Sequence, residues 1–299
     1  MEHVRTVTRR FETGERAVLH VESRSGSVVV EAHTSPVVVI DATVRIWSNE
    51  PRDLDDAVAL VEEAIEQDAH RIVVRAPALP RSEHWSWFGG RRGSSVDYVV
   101  RVPLQCAVRV LARSGSVRVT GIEGRVHIES GSGRVSLEDI TGNVTLTSRS
   151  GGVAIERVRG DVSAETRSGR LEVRGVRGSA ELQARSGSIE ARDVGGNLRA
   201  QTHTGSIIIT DAGAGVKAQA HTGTIRFSGR VQGDCELRAH TGSIWMAVDA
   251  AHPFFIDAES EIGSVRSELP PRRGGAPPPA GGPKVRLRTR TGSIRLTRL

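Results

Sequence analysis

Aromatic residues are nearly missing from this chain: Trp, Tyr and Phe together make 3% of its 299 residues. A globular core usually leans on such rings for bulk, so this core has to be built from Val, Ile, Leu and Ala. Cysteine is scarce as well. Cys106 and Cys235 stand far apart with no Cys-x-x-Cys, which leaves neither a disulfide framework nor zinc-ligand spacing. No apolar run approaches the roughly 18 residues of a membrane-spanning helix. The opening MEHVRTVTRRFETGE has no apolar segment of the kind a secretory leader carries. The expectation is therefore a chain without a membrane span, cytoplasmic or peripheral to a membrane. Lysine is rare too: only Lys217 and Lys284 among 41 basic residues, the rest being arginine, with a net charge of +6. Apolar residues at 37% and charged ones at 25% exclude a chain disordered as a whole.

What the chain does have is glycine, 33 of them, and they are periodic. A Ser/Thr-Gly-x-aliphatic motif recurs at Gly115, Gly133, Gly151, Gly169, Gly187, Gly205 and Gly223, six consecutive intervals of 18. Gly242 follows after 19, Gly263 after 21 and Gly292 after 29, and one earlier copy sits at Gly26. A second series, Gly124, Gly142, Gly160, Gly178 and Gly196, runs nine residues out of phase. Such self-similarity is the signature of a repeat architecture. The rung is 18 residues, two halves of nine, each with one short strand and one tight turn.

Apolar residues fall into columns at the same period. Val153, Leu171, Ile189, Ile207, Ile225 and Ile244 form one; Val144, Val162, Ala180, Leu198 and Val216 form another on the other half-rung. Arg, Glu, Thr and Ser alternate with them, so each half-rung is a strand with one dry and one wet face. The reading is an all-β fold, a parallel β-solenoid (single-stranded β-helix) with 18-residue rungs and two strands per rung. Equivalent strands would pair roughly 4.8 Å apart, and each rung would depend on its neighbours. Aliphatic burial does not by itself offset the ordering of a rung, so hydrogen bonds between rungs are required.

The ends are less regular. Residues 1–110 read as N-terminal opening coils carrying one helix over 53–69 and a β arm over 71–103. Residues 71–77 and 96–103 are expected to be two strands of a hairpin or longer arm, and the helix is expected to cover the N-terminal side. The regular solenoid spans 111–269. A Pro/Gly-rich stretch, 270–283, reads as a flexible loop, and 284–299 as closing strands.

The repeated SGSV, SGRV, SGRL and TGSI motifs, the single early helix, the WFGG segment with its arginines and the following VDYVVRVP together resemble the toastrack-like family of bacterial β-strand-repeat proteins, labelled as candidate adhesins. The resemblance runs over nearly the whole chain. It implies a β-solenoid and a non-enzymatic role, and it brings no catalytic residues with it. Many members of that family are attached to membranes.

Two positions before the repeat glycines lie Arg113, Arg149, Arg167, Arg185, His203, His221 and His240, interrupted by Gly131. Stacked at rung spacing they would make an anion-binding ladder for a polyanion such as an acidic surface polymer, with nucleic acid a weaker fit; the plainer reading is a solvated face. Imidazoles in a straight ladder do not make a tetrahedral metal set. The residue after the half-repeat glycine (Asn143, Asp161, Ser179, Asn197) reads as turn chemistry, not as a calcium roll. No acid–base pair, Walker motif or nucleophile elbow appears, and GAGVKA at 213–218 has no helix after it. Trp85, Trp87 and Phe88 beside Arg91 and Arg92 could form a partner-contact tip, or fold back to cap a solenoid end.

The sequence thus points to a non-catalytic solenoid scaffold or binding platform, without cofactor or metal, for a protein or surface-polymer partner. The alternatives are a bactofilin-like protein that self-associates through its ends, a polyanion-binding or adhesin-like module and, last, a carbohydrate-active enzyme.

Overall fold

The computed structural model describes residues 1–48, 52–79, 94–249, 254–269 and 282–299. The chain forms two units, Met1–Gly142 and Asn143–Leu299. Both are built on parallel β-solenoid coils, with a single helix among the described residues.

In the second unit every rung sends one strand to each of two sheets. Sheet I takes Val144–Ser150, Val162–Ser168, Ala180–Ser186, Leu198–Thr204, Val216–Thr222 and Cys235–Thr241 in chain order. Sheet II takes Val153–Val158, Leu171–Val176, Ile189–Val194, Ile207–Ala212, Ile225–Gly229 and Ile244–Val248. All neighbours are parallel and in register: Val153 faces Leu171, then Ile189, Ile207, Ile225 and Ile244. These side chains are buried, as are Leu182, Leu198 and Leu237 from sheet I, so the core is a stack of aliphatic columns. The period of 18 read from the sequence is the coil repeat of this unit.

The repeat glycines are there for two reasons at once. Gly187 has φ of 144°, a conformation that side chains with a Cβ rarely adopt. A Cβ placed on it would also lie 1.9 Å from the carbonyl oxygen of Gly169 in the preceding rung. The opposite turns are joined by side chains. Asn143 Oδ1 accepts the Asp161 amide at 3.1 Å, and Asp161 Oδ1 accepts the Ser179 amide at 2.8 Å. Ser179 Oγ and Asn197 Oδ1 then accept the amides of Asn197 and Gly215 at 3.3 and 3.1 Å. These are inter-rung bonds of the kind that aliphatic burial leaves necessary.

At the C-terminal end spatial order departs from chain order. Lys284–Thr291 lies between Cys235–Thr241 and Phe255–Ile262, and Ile294–Arg298 lies between Ile244–Val248 and Val265–Ser267. Residues 284–299 were expected to close the solenoid. Instead they form its penultimate coil, and residues 255–267 form the last one. The composition explains the exchange. Val285, Leu287, Ile294 and Leu296 fill the inner columns completely and are buried, which suits a strand with neighbours on both sides. The outer coil carries Asp257, Glu259 and Glu261 and leaves Ile262 and Val265 exposed, which suits an edge.

The first unit has the same two-sheet plan. Arg16–Ser23 and Val28–His33 form a coil that pairs in parallel with Gln105–Ser114 and Val117–Thr120, so the early Gly26 copy is a true rung. Helix α1, Arg52–Glu63, starts with Asp53 and Asp55 in its first turn and buries Leu54, Ala57 and Val61 against Glu2–Glu12 and Val37–Trp47. It stops six residues before the expected end at 69. Its last turn has no basic residue to meet the dipole, and Ile65–Asp68 instead pairs antiparallel with Arg71–Val74 around Ala69 at φ 50°. The expected hairpin of 71–77 with 96–103 does not form. Arg71–Val74 joins the sheet of Arg16–Ser23, whereas Ser95–Pro103 joins that of Val28–His33. Their apolar faces each complete a different sheet of the solenoid. Residues 270–281 of the Pro/Gly-rich stretch lie outside the described residues.

Candidate binding surfaces of the solenoid

Alternation along each strand puts every second side chain outside, and register lines those side chains up across rungs. On sheet I, Arg149, Arg167, Arg185, His203, His221 and His240 occupy one row, each directly beside the next. The row continues to Arg290 and ends at Glu261, whose carboxylate lies 3.6 Å from Arg290. The imidazoles of His203, His221 and His240 are stacked, with centroids 4.8 Å apart and planes within 5° at each step. A groove runs beside them, lined also by Gln183, Gln201 and Gln219. Neutral imidazole both donates and accepts hydrogen bonds, and carboxamides do the same, so the groove can meet hydroxyls as well as anions.

Arg113 belongs to the first unit, at the end of Gln105–Ser114, and its register neighbour there is Gly131. The five residues of the proposed tip, Trp85, Trp87, Phe88, Arg91 and Arg92, lie outside the described residues.

Neither cysteine offers a nucleophile. Both are buried, and burial pushes each thiol up to about 12, against a backbone hydrogen bond from Leu19 at Cys106. Among the described residues no group of His, Cys, Asp and Glu is arranged to hold a metal ion.

The outer face of sheet II changes character along the unit. In its first rungs arginines are held by carboxylates. Arg170 lies 3.0 Å from Glu172 and 3.7 Å from Glu190, Arg174 lies 3.7 Å from Glu172, and Arg192 pairs with Glu190. Glu190 is itself buried under this cover. After Ile208 the same column reads Arg226, Trp245, Arg295 and Arg266, neighbour beside neighbour. Trp245 is 44% exposed. Its ring stands between two guanidiniums, Arg226 at 5.5 Å and Arg295 at 5.6 Å from the ring centroid. The sequence reading looked for an aromatic–arginine pair only where both lie close in sequence, at 85–92. The signal for this one was the outward position of Trp245 between the core residues Ile244 and Met246, in the column that carries Arg226 and Arg295.

Residues 106–207 match the family described as Toastrack DUF4097. The stretch includes the most regular glycine repeats, so the resemblance read from those motifs is borne out there. Three solved structures are similar. A candidate cell adhesion protein from Clostridium sporogenes is 9% identical, covering 100% of this chain and 99% of its own, with a TM-score of 0.22. A candidate lipid binding protein from Parabacteroides distasonis is 10% identical over 98% and 96%, with a TM-score of 0.40. A candidate adhesin from Bacteroides fragilis is 13% identical over 98% and 97%, with a TM-score of 0.34. At such identities and scores these likenesses carry no argument about what the chain binds. No curated protein matches it.

Proposed function

We propose, starting from the toastrack match over residues 106–207, that this chain is a non-catalytic binding platform. Its ligand is a linear anionic polymer lying along the Arg–His row of sheet I. The observation that supports this most directly is the stack of His203, His221 and His240 at 4.8 Å, continuous in register with Arg149, Arg167 and Arg185. A solenoid turns one sequence position into a straight row of identical groups. Such a row meets a repeating ligand many times over, so weak single contacts add up. Guanidinium forks recognise carboxylate, sulfate and phosphate in two-point fashion.

The end-to-end polymer reading has less support. The free edge coil of the second unit presents Asp257, Glu259 and Glu261, and the edge strand Ile65–Asp68 of the first unit presents Glu66 and Asp68. Both edges are acidic and neither offers the other an opposite charge, and Arg288, Arg290 and Arg75 of the same units already hold Asp257, Glu259, Glu261 and Glu66. An enzymatic reading has less support still, because the outward carboxylates of sheet II are tied to arginines rather than left to act as acid and base. The place of action, cytoplasmic or peripheral to a membrane, belongs to the same proposal.

The test is retention on immobilised heparin. Wild-type protein should be retained at about 50 mM salt and released well before about 200 mM more is added, as counterion release dictates. The triple variant Arg167→Gln, Arg185→Gln, His203→Gln should elute markedly earlier. Passage of the wild type without retention at low salt would sink the proposal.

A further inference from the structure

We infer that the outer face of sheet II holds a second ligand site, made by Arg226, Trp245, Arg295 and Arg266, that takes the sulfate or carboxylate groups of an acidic polysaccharide. It lies on the other sheet from the Arg–His row and does not depend on it.

The inference starts from an imbalance. Arg295 and Arg266 are direct neighbours across two parallel strands, and like charges placed so are destabilising. Elsewhere on this face the sequence answers arginine with glutamate, as Glu172 and Glu190 answer Arg170, Arg174 and Arg192. Here it does not: no carboxylate among the described residues forms an ion pair with Arg226, Arg266 or Arg295. The nearest undescribed stretches in sequence, 250–253 and 270–281, contain no Asp or Glu. Three exposed guanidiniums are thus gathered on one flat face and left without an internal counter-charge. An external anion supplies what the chain omits.

Trp245 gives the site its geometry. Arg226 and Arg295 are its register neighbours on either side, with their guanidinium carbons 5.5 and 5.6 Å from the ring centroid, so the indole keeps both cations beside it. A guanidinium held near the ring has less side-chain freedom to lose when it meets an oxyanion in two-point fashion. The next outward column reads Thr210, Ser228, Ala247 and Thr297, three hydroxyls that suit sugar hydroxyls with one alanine between them.

The same geometry chooses among polyanions. Single-stranded nucleic acid binds by stacking bases on free aromatic faces, and Trp245 has a guanidinium beside it on either side. A membrane surface would need an aromatic ring set in an apolar patch, and the neighbours of this ring in its column are guanidiniums. The open, flat face suits a chain lying across it better than a small enclosed molecule.

The probe is a heparin oligosaccharide, titrated into protein carrying Arg149→Gln, Arg167→Gln, Arg185→Gln, His203→Gln, His221→Gln and His240→Gln so that the sheet I row is disabled. Trp245 emission is isolated as the difference from a Trp245→Phe variant. The expected result is a saturable change in that emission. Affinity should fall on the order of tenfold for Arg295→Gln and again for Arg266→Gln, with unchanged far-ultraviolet circular dichroism. The inference is overturned if Trp245 emission stays constant through saturation, or if Arg295→Gln and Arg266→Gln bind as well as the parent. It is overturned equally if oligothymidine or anionic phospholipid vesicles perturb Trp245 at lower concentration than heparin does. Loss of all heparin binding in the sheet I variant, with no Trp245 response, would overturn this inference and leave the first site standing.

Discussion

Arg288 holds Asp257 with both of its terminal nitrogens, at 3.0 and 2.6 Å, across the seam between the penultimate and the last coil. The pairing is one of several. Glu259 lies 2.9 Å from the same guanidinium and Glu261 3.6 Å from Arg290. Asp257 and Glu259 stand opposite Arg286 and Arg288, whereas Lys284 stands opposite Phe255. An acidic edge strand fastened to a basic inner one fixes which coil goes outermost.

Arg288→Glu should therefore loosen the last coil without unfolding the unit. The pair is half exposed, so its worth is about 1 kcal/mol rather than the value of a buried bridge. Amide exchange over 255–267 should quicken while amides over 162–212 keep their protection. Uniform loss across both stretches would contradict the role assigned to the pair.

Gly187→Ala should cost about 2–4 kcal/mol, since it combines a strained φ with a Cβ forced against the Gly169 carbonyl. Gly152→Ala is the control. No atom lies within 4 Å of where its Cβ would sit, so it should be close to neutral. Urea unfolding of the two variants measures the difference, and equal midpoints would remove the steric account of the repeat glycine.

Asp97 ties together three segments of the first unit. Burial pushes its carboxyl up, but hydrogen bonds from the Ser27 amide at 2.6 Å and hydroxyl at 2.7 Å, with the Arg45 guanidinium, pull it below its ordinary value of 3.8. A carboxyl with a depressed folded pKa adds stability that is complete above its unfolded value and disappears as pH falls through the folded one. Asp97→Asn should thus lower the melting temperature at pH 7, by an amount that shrinks as pH falls below the ordinary carboxyl value of 3.8 and through the lower folded one. A constant deficit at all pH values would show that the carboxylate charge is not what matters.

Cys106 and Cys235 should resist a thiol reagent at pH 8 in the folded protein, because both are buried and titrate at about 12. Both should react at once in denaturant. Fast reaction of either thiol without denaturant would place it at the surface.

The solenoid was legible because every rung repeats the same demand. Gly169, Gly187 and Gly205 each need a positive φ and a bare Cα against the carbonyl of the preceding rung, so sequence period and coil period coincide. Legibility failed where a segment answers to a single neighbour. Nothing in KVRLRTRTGSIRL says that it sits inside FIDAESEIGSV; that depends on comparing the two as partners for Cys235–Thr241. Helix α1 was extended too far because Ile65 continues its apolar face, and only the strand pairing with Val74 shows where that side chain goes. Of the candidate surfaces, the Arg–His row was visible as a column at constant phase. Trp245 was not, because its significance comes from Arg226 and Arg295 on adjacent coils, 19 residues before and 50 after it.

The interleaved C-terminal coil also sets a schedule. On the ribosome, residues 255–267 emerge before the strand they must dock against exists, and they have to wait until Lys284–Thr291 and Ile294–Arg298 have been made. Until then the growing protein ends on the bare edge of Cys235–Thr241 and Ile244–Val248. Residues 284–298 are thus made later than residues 255–267 yet must take their place first.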